Sequence, residues 1–243
     1  HPPPATPDPL WSRGLGDVYK RQVVEAAESA GAREVYLIEE TMAAAYGAEM
    51  SCVDESKGGM VVDIGGGTTG ISVISLGGIV HSRSIKTAGD SLNTAIIDYV
   101  RRTYNILIGE NMAESVKQNV ADVREVPSES LKMSIRGRNL ETGLPKSLTL
   151  TASDTKKALE ESVAEIINVI RETLDVTPPE LAGDIMIDGI VLAGGGALLG
   201  GLSERISKAT QLKVAVADEP LLCVVRGCGR ALEEINTLRR ISI

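Results

Sequence analysis

Phenylalanine is absent from this 243-residue sequence, and the other aromatics are one Trp (Trp11) and five Tyr. Any core must therefore be aliphatic, within an ordinary hydrophobic content of 43%. Basic charge is also short. Against 33 Asp and Glu stand 25 Lys and Arg, giving a net charge of −8 and a pI near 5.0. That balance speaks against a nucleic-acid partner, which needs a basic face, and against an extended electrostatic membrane patch. No apolar run approaches the roughly 18 residues of a membrane-spanning helix. No secretory signal pattern opens the chain. The three cysteines, Cys52, Cys223 and Cys228, have no CxxC spacing. A disulfide framework or zinc site is disfavoured, inert buried thiols are expected, and a reducing cytoplasm fits. The length suffices for one or two sizeable cores.

Residues 1–22 stand apart. Five of the first nine are proline, and a Gly-rich polar stretch follows without helical or strand periodicity. Asp17–Gln22 can be encoded by GAT GTG TAT AAG AGA CAG, which looks like the end of a transposon adaptor used to prepare sequencing libraries. The segment is therefore expected to be foreign, with a natural disordered tail as the alternative. On either view it should pack poorly and keep Leu10 and Trp11 out of any core.

Beyond it, residues 23–30 predict the end of a helix capped by Gly31. Residues 34–38 (EVYLI) predict a short buried strand, and the Ala-rich 41–50 a helix. Three strands follow at 60–64, 71–76 and 79–86, bounded by glycine turns. Helices are expected at about 91–104 and 110–121, then a hairpin over 131–151 turning around ETGLP. Ser153 is the expected N-cap of the next helix. That helix aligns Leu159, Val163, Ile166, Ile167, Ile170 and Leu174 on one face and stops at Pro178-Pro179. Strand, helix, strand and helix then follow at 189–193, about 198–210, 213–217 and about 221–238. The alternation predicts an α/β domain, with 107–177 as a smaller α+β insert.

Two glycine turns carry the chemistry. In DIGGGTTG, Asp63 ends a strand and Gly65, Gly66 and Gly67 let backbone N–H groups approach an anion, with Thr68 and Thr69 adding hydroxyls. A carboxylate at Asp63 suits a water of a phosphate-bound Mg²⁺. In AGGGALLGG, Gly194, Gly195, Gly196 and Ala197 are expected to open into a helix, whose N-terminus favours phosphate. One such turn is weak evidence. Two, each after a buried strand, predict a shared nucleotide cleft. Neither fits the P-loop or the dinucleotide fingerprint.

These turns resemble the actin, Hsp70 and sugar-kinase superfamily. LIEETMAAAYGA (37–48), RRTYNILIGENMAE (101–114), the TGLP turn (142–145) and TPPELAGDI (177–185) further resemble its MreB-type bacterial actin members. The resemblance implies an actin-like, ribonuclease H-like α/β fold. It divides the chain into a tail (1–22), a remnant of a first domain (23–50), a core domain (51–106 with 178–243) and the insert (107–177). It also implies an ATP-driven filament protein with slow turnover that organises wall synthesis and rod shape. Expected partners are ATP, Mg²⁺, other copies of itself head to tail, the cell-wall elongation machinery and the inner membrane face.

By the same resemblance Glu40 positions the attacking water, Thr68 contacts that water, and Asp63 serves Mg²⁺. Glu114 meets the ribose and Lys117 flanks the adenosine, within the stretch Ala113, Glu114, Ser115, Val116, Lys117. Each residue also has a plainer reading: a first-turn acid for Glu40, a turn cap for Thr68, a surface pair for Glu114 and Lys117. Ala88-Gly89-Asp90 resembles a turn lining the cleft, though a helix start capped by Asp90 is the simpler expectation. Thr41 departs from the usual Pro and Gly70 from the usual Glu. The family's first phosphate motif is not found, nor are its membrane-inserting elements, so this chain is expected to hydrolyse ATP negligibly. An Hsp70-type chaperone ATPase and a small-molecule kinase are the competing readings.

Overall fold

The computed structural model describes residues 10–53 and 56–233, with backbone alone for 10–17. Short aliphatic runs separated by glycine turns give the expected meander: β1 (Gly59–Ile64), β2 (Thr69–Ser75) and β3 (Gly78–Ile85). β7 (Ile190–Ala193) lies parallel beside β1, and β8 (Val214–Val216) parallel beside β7. The five-stranded order is β3-β2-β1-β7-β8. Every residue of central β1 is buried, as in a strand covered on both faces, whereas edge strand β3 alternates with exposed positions.

The strand period of two sorts β1 onto two cores. Met60, Val62 and Ile64 join Ile71 and Val73 against α3 (Gly89–Tyr104) and α5 (Ala152–Asp175). Val61 and Ile74 face the opposite side, packing with Met42, Ala44, Ala45 and Cys223 of α2 (Glu40–Gly47) and α8 (Cys223–Glu233). A smaller antiparallel sheet, β4 (Ile106–Leu107), β5 (Lys132–Asn139) and β6 (Pro145–Thr151), adjoins α4 (Glu110–Val120). Its Ile135 and Leu150 belong to the same continuous core as Met60 and Val62. The predicted face of α5 is buried from Leu159 to Ile170, with Leu174 at its margin.

Several expectations need correction. Residues 34–38 are half-buried in part but form no strand, because no described strand runs beside them to pair. The tail is helical from Leu10, in α1 (Leu10–Ser29). From Leu10 on the sequence of this helix holds no proline, so no ring interrupts its backbone hydrogen bonds. Its described side chains from Val18 to Gln22 are all exposed, as a segment without an apolar face should be; the side chains of Leu10 and Trp11 lie outside the described residues. Gly31 does end α1, at φ +102°, with Gly31 N–H bonded to Glu28 O and Ala32 N–H to Ala27 O.

The N-cap of α5 is Thr151 rather than Ser153: Thr151 Oγ accepts from Asp154 N–H, while the Asp154 carboxylate accepts from Thr151 N–H at 3.0 Å. α6 (Pro179–Asp188) was not foreseen. Proline at its first position starts a helix there as readily as it ends the one before. The final helix begins at Cys223, two residues later than expected, after a single 3₁₀ turn at Pro220–Leu222. The reading of that helix beyond residue 233 falls outside the described residues.

Candidate functional site

β1 and β7 are parallel and in register, Asp63 opposite Ala193. The two glycine turns therefore leave the sheet side by side, beyond the carboxyl ends of parallel strands, where α/β sheets bind ligands. The turns pack against each other. A Cβ on Gly194, whose φ is +78°, would lie 2.4 Å from Ile64 O and 2.6 Å from Asp63 Oδ1. Only glycine lets the second turn rest there. The first turn is closed by Gly65 N–H donating to Thr68 O at 3.0 Å, and Gly66, Gly67 and Thr68 stay exposed.

The second turn does not open directly into a helix. It makes one 3₁₀ turn, Gly195–Leu198, and α7 (Leu202–Thr210) begins only after Gly201 at φ +78°. The intervening Gly200 is held by Val123 N–H donating to its carbonyl at 2.8 Å. Beside it Asp122, fully buried, accepts from Arg124 Nε at 2.9 Å, Arg124 Nη2 at 2.7 Å and Ser128 N–H at 2.9 Å. These bonds hold the Asp122 carboxyl down at about 2. Gly194 N–H is already donated to Pro220 O and Ala197 N–H to Gly194 O, so the N–H groups of Gly195 and Gly196, rather than a helix end, are what this segment offers an anion.

α3 is strapped to the first turn. Gly89 N–H donates to Gly65 O at 3.0 Å, Asp90 N–H to Gly66 O at 2.8 Å, and Thr69 Oγ to Thr87 O at 2.7 Å. The cap position is Ala88, so Asp90 sits inside the first turn instead of capping it. From α4, Lys117 Nζ donates to Gly89 O at 3.0 Å and to Glu114 Oε2 at 2.7 Å. Asn93 Nδ2 and Gln118 Nε2 also donate to Glu114, at 2.7 and 2.8 Å, which holds its carboxyl below the usual carboxylate range. The structure thus brings Glu114 and Lys117 to the glycine turns. Ala113 and Val116 are buried in the core, and Ser115 returns its hydroxyl to Asn111 O, so their side chains offer a ligand no polar group.

Asp63 faces the α2 side of the sheet, as Val61 does. It is buried, and its carboxyl is raised to about 6, first by loss of hydration and then by the charge of Glu40. Glu40 itself is exposed at the start of α2. Two carboxylates close enough for the charge of one to act on the other, beside a glycine cradle, suit a divalent cation, which would offset their charge. The seat of α2 was missed in the sequence. Thr41 and Ser72 share a buried hydroxyl–hydroxyl bond of 2.7 Å, and a Cβ on Gly70 would lie 2.7 Å from Thr41 Cγ2. The two departures from the family pattern thus touch. Asn93 was missed as well, an amide on α3 with no motif around it.

The family model described as MreB/Mbl protein matches residues 12–240. The chain belongs to the MreB/Mbl family. It is 47% identical over 224 residues to the cell shape-determining protein MreB of Escherichia coli (strain K12), covering 92% of this chain and 64% of that protein. Its identity to the cell shape-determining protein Mbl of Bacillus subtilis (strain 168) is 45% over 224 residues, covering 92% and 67%. The chain thus spans about 64% of the length of the first of these relatives. Among solved structures, MreB5 of Spiroplasma citri bound to AMPPNP superposes with a TM-score of 0.85 at 37% identity, over 89% of this chain and 65% of that one. The same protein bound to ADP matches equally well. A MamK double helical filament, at 24% identity and a TM-score of 0.67 over 80% of this chain and 58% of that one, shares the fold. The fold is therefore actin-like, as the glycine turns implied. The family match begins inside the segment set aside as a tail, as does helix α1.

Proposed function

We propose that this chain carries one wall of an adenine-nucleotide site in a filament-forming, cell-shape protein of the MreB type. The observation that carries the reading is the adjacency of the two glycine turns at the ends of β1 and β7, with Glu114 and Lys117 tied through Gly89 to the first of them. The first turn and Thr68 take the terminal phosphates, Gly194–Ala197 lie under the α-phosphate and adenosine, and Glu114 takes the ribose. Asp63 would help hold Mg²⁺, which when bound would supply neutralising charge at the phosphates. Glu40 orients the attacking water, whose proton a carboxylate can accept. That relatives of this chain were solved with AMPPNP and ADP supports the choice of nucleotide.

The division into a core domain (51–106 with 178–243) and an insert (107–177) belongs to this reading. So do head-to-tail assembly in the cytoplasm, contact with the wall-elongation machinery and association with the inner membrane face. The chaperone and kinase readings gain nothing from the relatives. The test is calorimetric binding of ADP with Mg²⁺ to this chain and to Gly194→Ala. Binding that weakens at least tenfold in the variant is the expected result, because a methyl there collides with Ile64 O. No binding by the unsubstituted chain refutes the reading.

A further inference from the structure

Lys117 is the least ordinary cation of the site. Its side chain is only 15% exposed, although its ion-pair partner Glu114, at 40%, faces solvent. A solvated i,i+3 pair on a helix surface contributes a few tenths of a kcal/mol and needs no third partner. Here the same ammonium also reaches across to α3 and donates to Gly89 O. Gly89 is in turn the residue whose N–H holds Gly65 of the phosphate turn, and the next N–H, of Asp90, holds Gly66. Asn93, one helical turn along α3, fixes Glu114 from the same side. An unbroken run of hydrogen bonds therefore leads from the Glu114 carboxylate, through Lys117 and the Gly89 backbone, into the turn at Gly65 and Gly66.

We infer that Lys117 and Asn93 are positioning residues that couple the nucleoside end of the site to its phosphate turn. A ligand hydroxyl that engages Glu114 competes for the oxygens now held by Lys117, Asn93 and Gln118. Any shift of the carboxylate moves the ammonium, and the ammonium carries the Gly89 peptide and the turn with it. The two ends then bind as one unit, so filling the nucleoside end prepares the turn for phosphate. Asn93 sharpens this tie. Its Nδ2 is committed to Glu114 while its Oδ1 is buried with no partner among the described residues; the amide is held in this orientation because a flipped amide would set oxygen against carboxylate. The inference rests on the nucleotide reading above and goes beyond it by giving Lys117 a task other than touching adenosine.

The experiment uses the 243-residue chain with two probes, adenosine and magnesium pyrophosphate, so that each end is addressed separately. Couplings between sites typically amount to 5–150-fold. Saturating adenosine is expected to tighten pyrophosphate binding about 5–10-fold. It should also shift the amide NMR signals of Gly65, Gly66 and Gly89, which adenosine itself has no phosphate to touch. In Lys117→Met the pyrophosphate affinity should no longer depend on adenosine, and the glycine signals should stay still when adenosine binds. Lys117→Arg, which keeps a donor, should retain at least part of both effects, and Asn93→Leu should lose part of them. Adenosine that binds the unsubstituted chain without moving these signals or changing pyrophosphate affinity overturns the coupling and leaves the nucleotide reading standing. So does an undiminished effect in Lys117→Met. Binding of neither adenosine nor ADP overturns both. The wild-type measurement alone decides the matter should Lys117→Met fail to fold.

Discussion

Gly70→Ala is the substitution whose outcome follows most directly from the packing of α2. Gly70 pairs across the strands with Asp63 and lies beneath Thr41. Its φ is not positive, so alanine is allowed by the backbone and the only obstacle is the 2.7 Å approach of the new Cβ to Thr41 Cγ2. Thr41 cannot step aside cheaply: it is β-branched, buried and held by its bond to Ser72. Overpacking of this kind costs about 1–3 kcal/mol. Taking about 2 kcal/mol, the melting temperature should fall by about 4–8 °C for a domain of this size. Thr41→Ser removes the obstructing methyl but keeps the hydroxyl, and alone should cost about 0.5–1.5 kcal/mol. In that background Gly70→Ala should cost almost nothing. The assay is a double-mutant cycle of melting temperatures followed by circular dichroism. An equal cost of Gly70→Ala in both backgrounds would refute the argument that these two residues define the seat of α2.

Three other outcomes are expected. Asp63→Asn should stabilise the chain at pH 7–8 by up to about 2–3 kcal/mol and leave it unchanged near pH 3. A carboxyl raised to about 6 in the fold makes stability fall as pH rises from its ordinary 3.8 through 6, and the amide removes that loss; Mg²⁺-dependent nucleotide binding should weaken in the same variant. Asp122→Ala should cost about 1–2 kcal/mol at pH 7, and its effect should vanish as acid is added. The carboxyl is held at about 2, so the stability it contributes is complete above pH 4 and lost between about 4 and 2, measurable by urea titration at each pH. At the hairpin tip, Leu144 is 65% exposed. Leu144→Asp should leave the melting temperature within about 2 °C, as surface changes do, while reducing polymer sedimented with nucleotide; an unchanged pellet would count against this exposed turn as a head-to-tail contact.

Much of this fold was legible because its signals are local. The meander β1–β3 announces itself through short aliphatic runs bounded by glycine turns, and the buried face of α5 through its 3.6 period. What was missed depends on partners distant in sequence or on choosing between equal local signals. Residues 34–38 have strand composition, yet a strand exists only where another lies beside it. Thr151 and Ser153 are comparable caps, and the decision lay in Asp154 standing three residues after Thr151, a spacing that could have been noticed. Pro178-Pro179 signals a stop for α5, but Pro179 is equally a start, that of α6. In the site, the glycine turns, Asp63, Glu114 and Lys117 are visible as motifs; the structure sets the two turns side by side and ties Lys117 through Gly89 to the first. Thr41 and Ser72 are 31 residues apart and Asn93 and Glu114 are 21 apart. Single hydroxyl or amide side chains at such separations carry no sequence pattern.

The placement of glycine at both strand ends has a geometric cause in the two-faced sheet. Asp63 and Glu40 lie on the face covered by α2 and α8, while Lys117 and Glu114 belong to α4, which packs into the core on the other face. A sheet whose central strand is wholly buried gives a ligand no passage from one face to the other. The rim beyond the carboxyl ends of β1 and β7 is the place where groups from both faces can converge on one molecule. To bridge that rim, the ligand must lie directly on the backbone that turns there, and a Cβ at Gly194 or Gly196 would already occupy the space against Ile64 and Asp63. An elongated ligand with an anionic end and a hydroxyl-bearing end fits this division, with Asp63 and Glu40, which a cation would have to offset, on one side and the Glu114–Lys117 pair on the other. A compact anion would engage only the turns and leave the pair unused, which is why adenosine and pyrophosphate, offered separately, report on the two halves of one site.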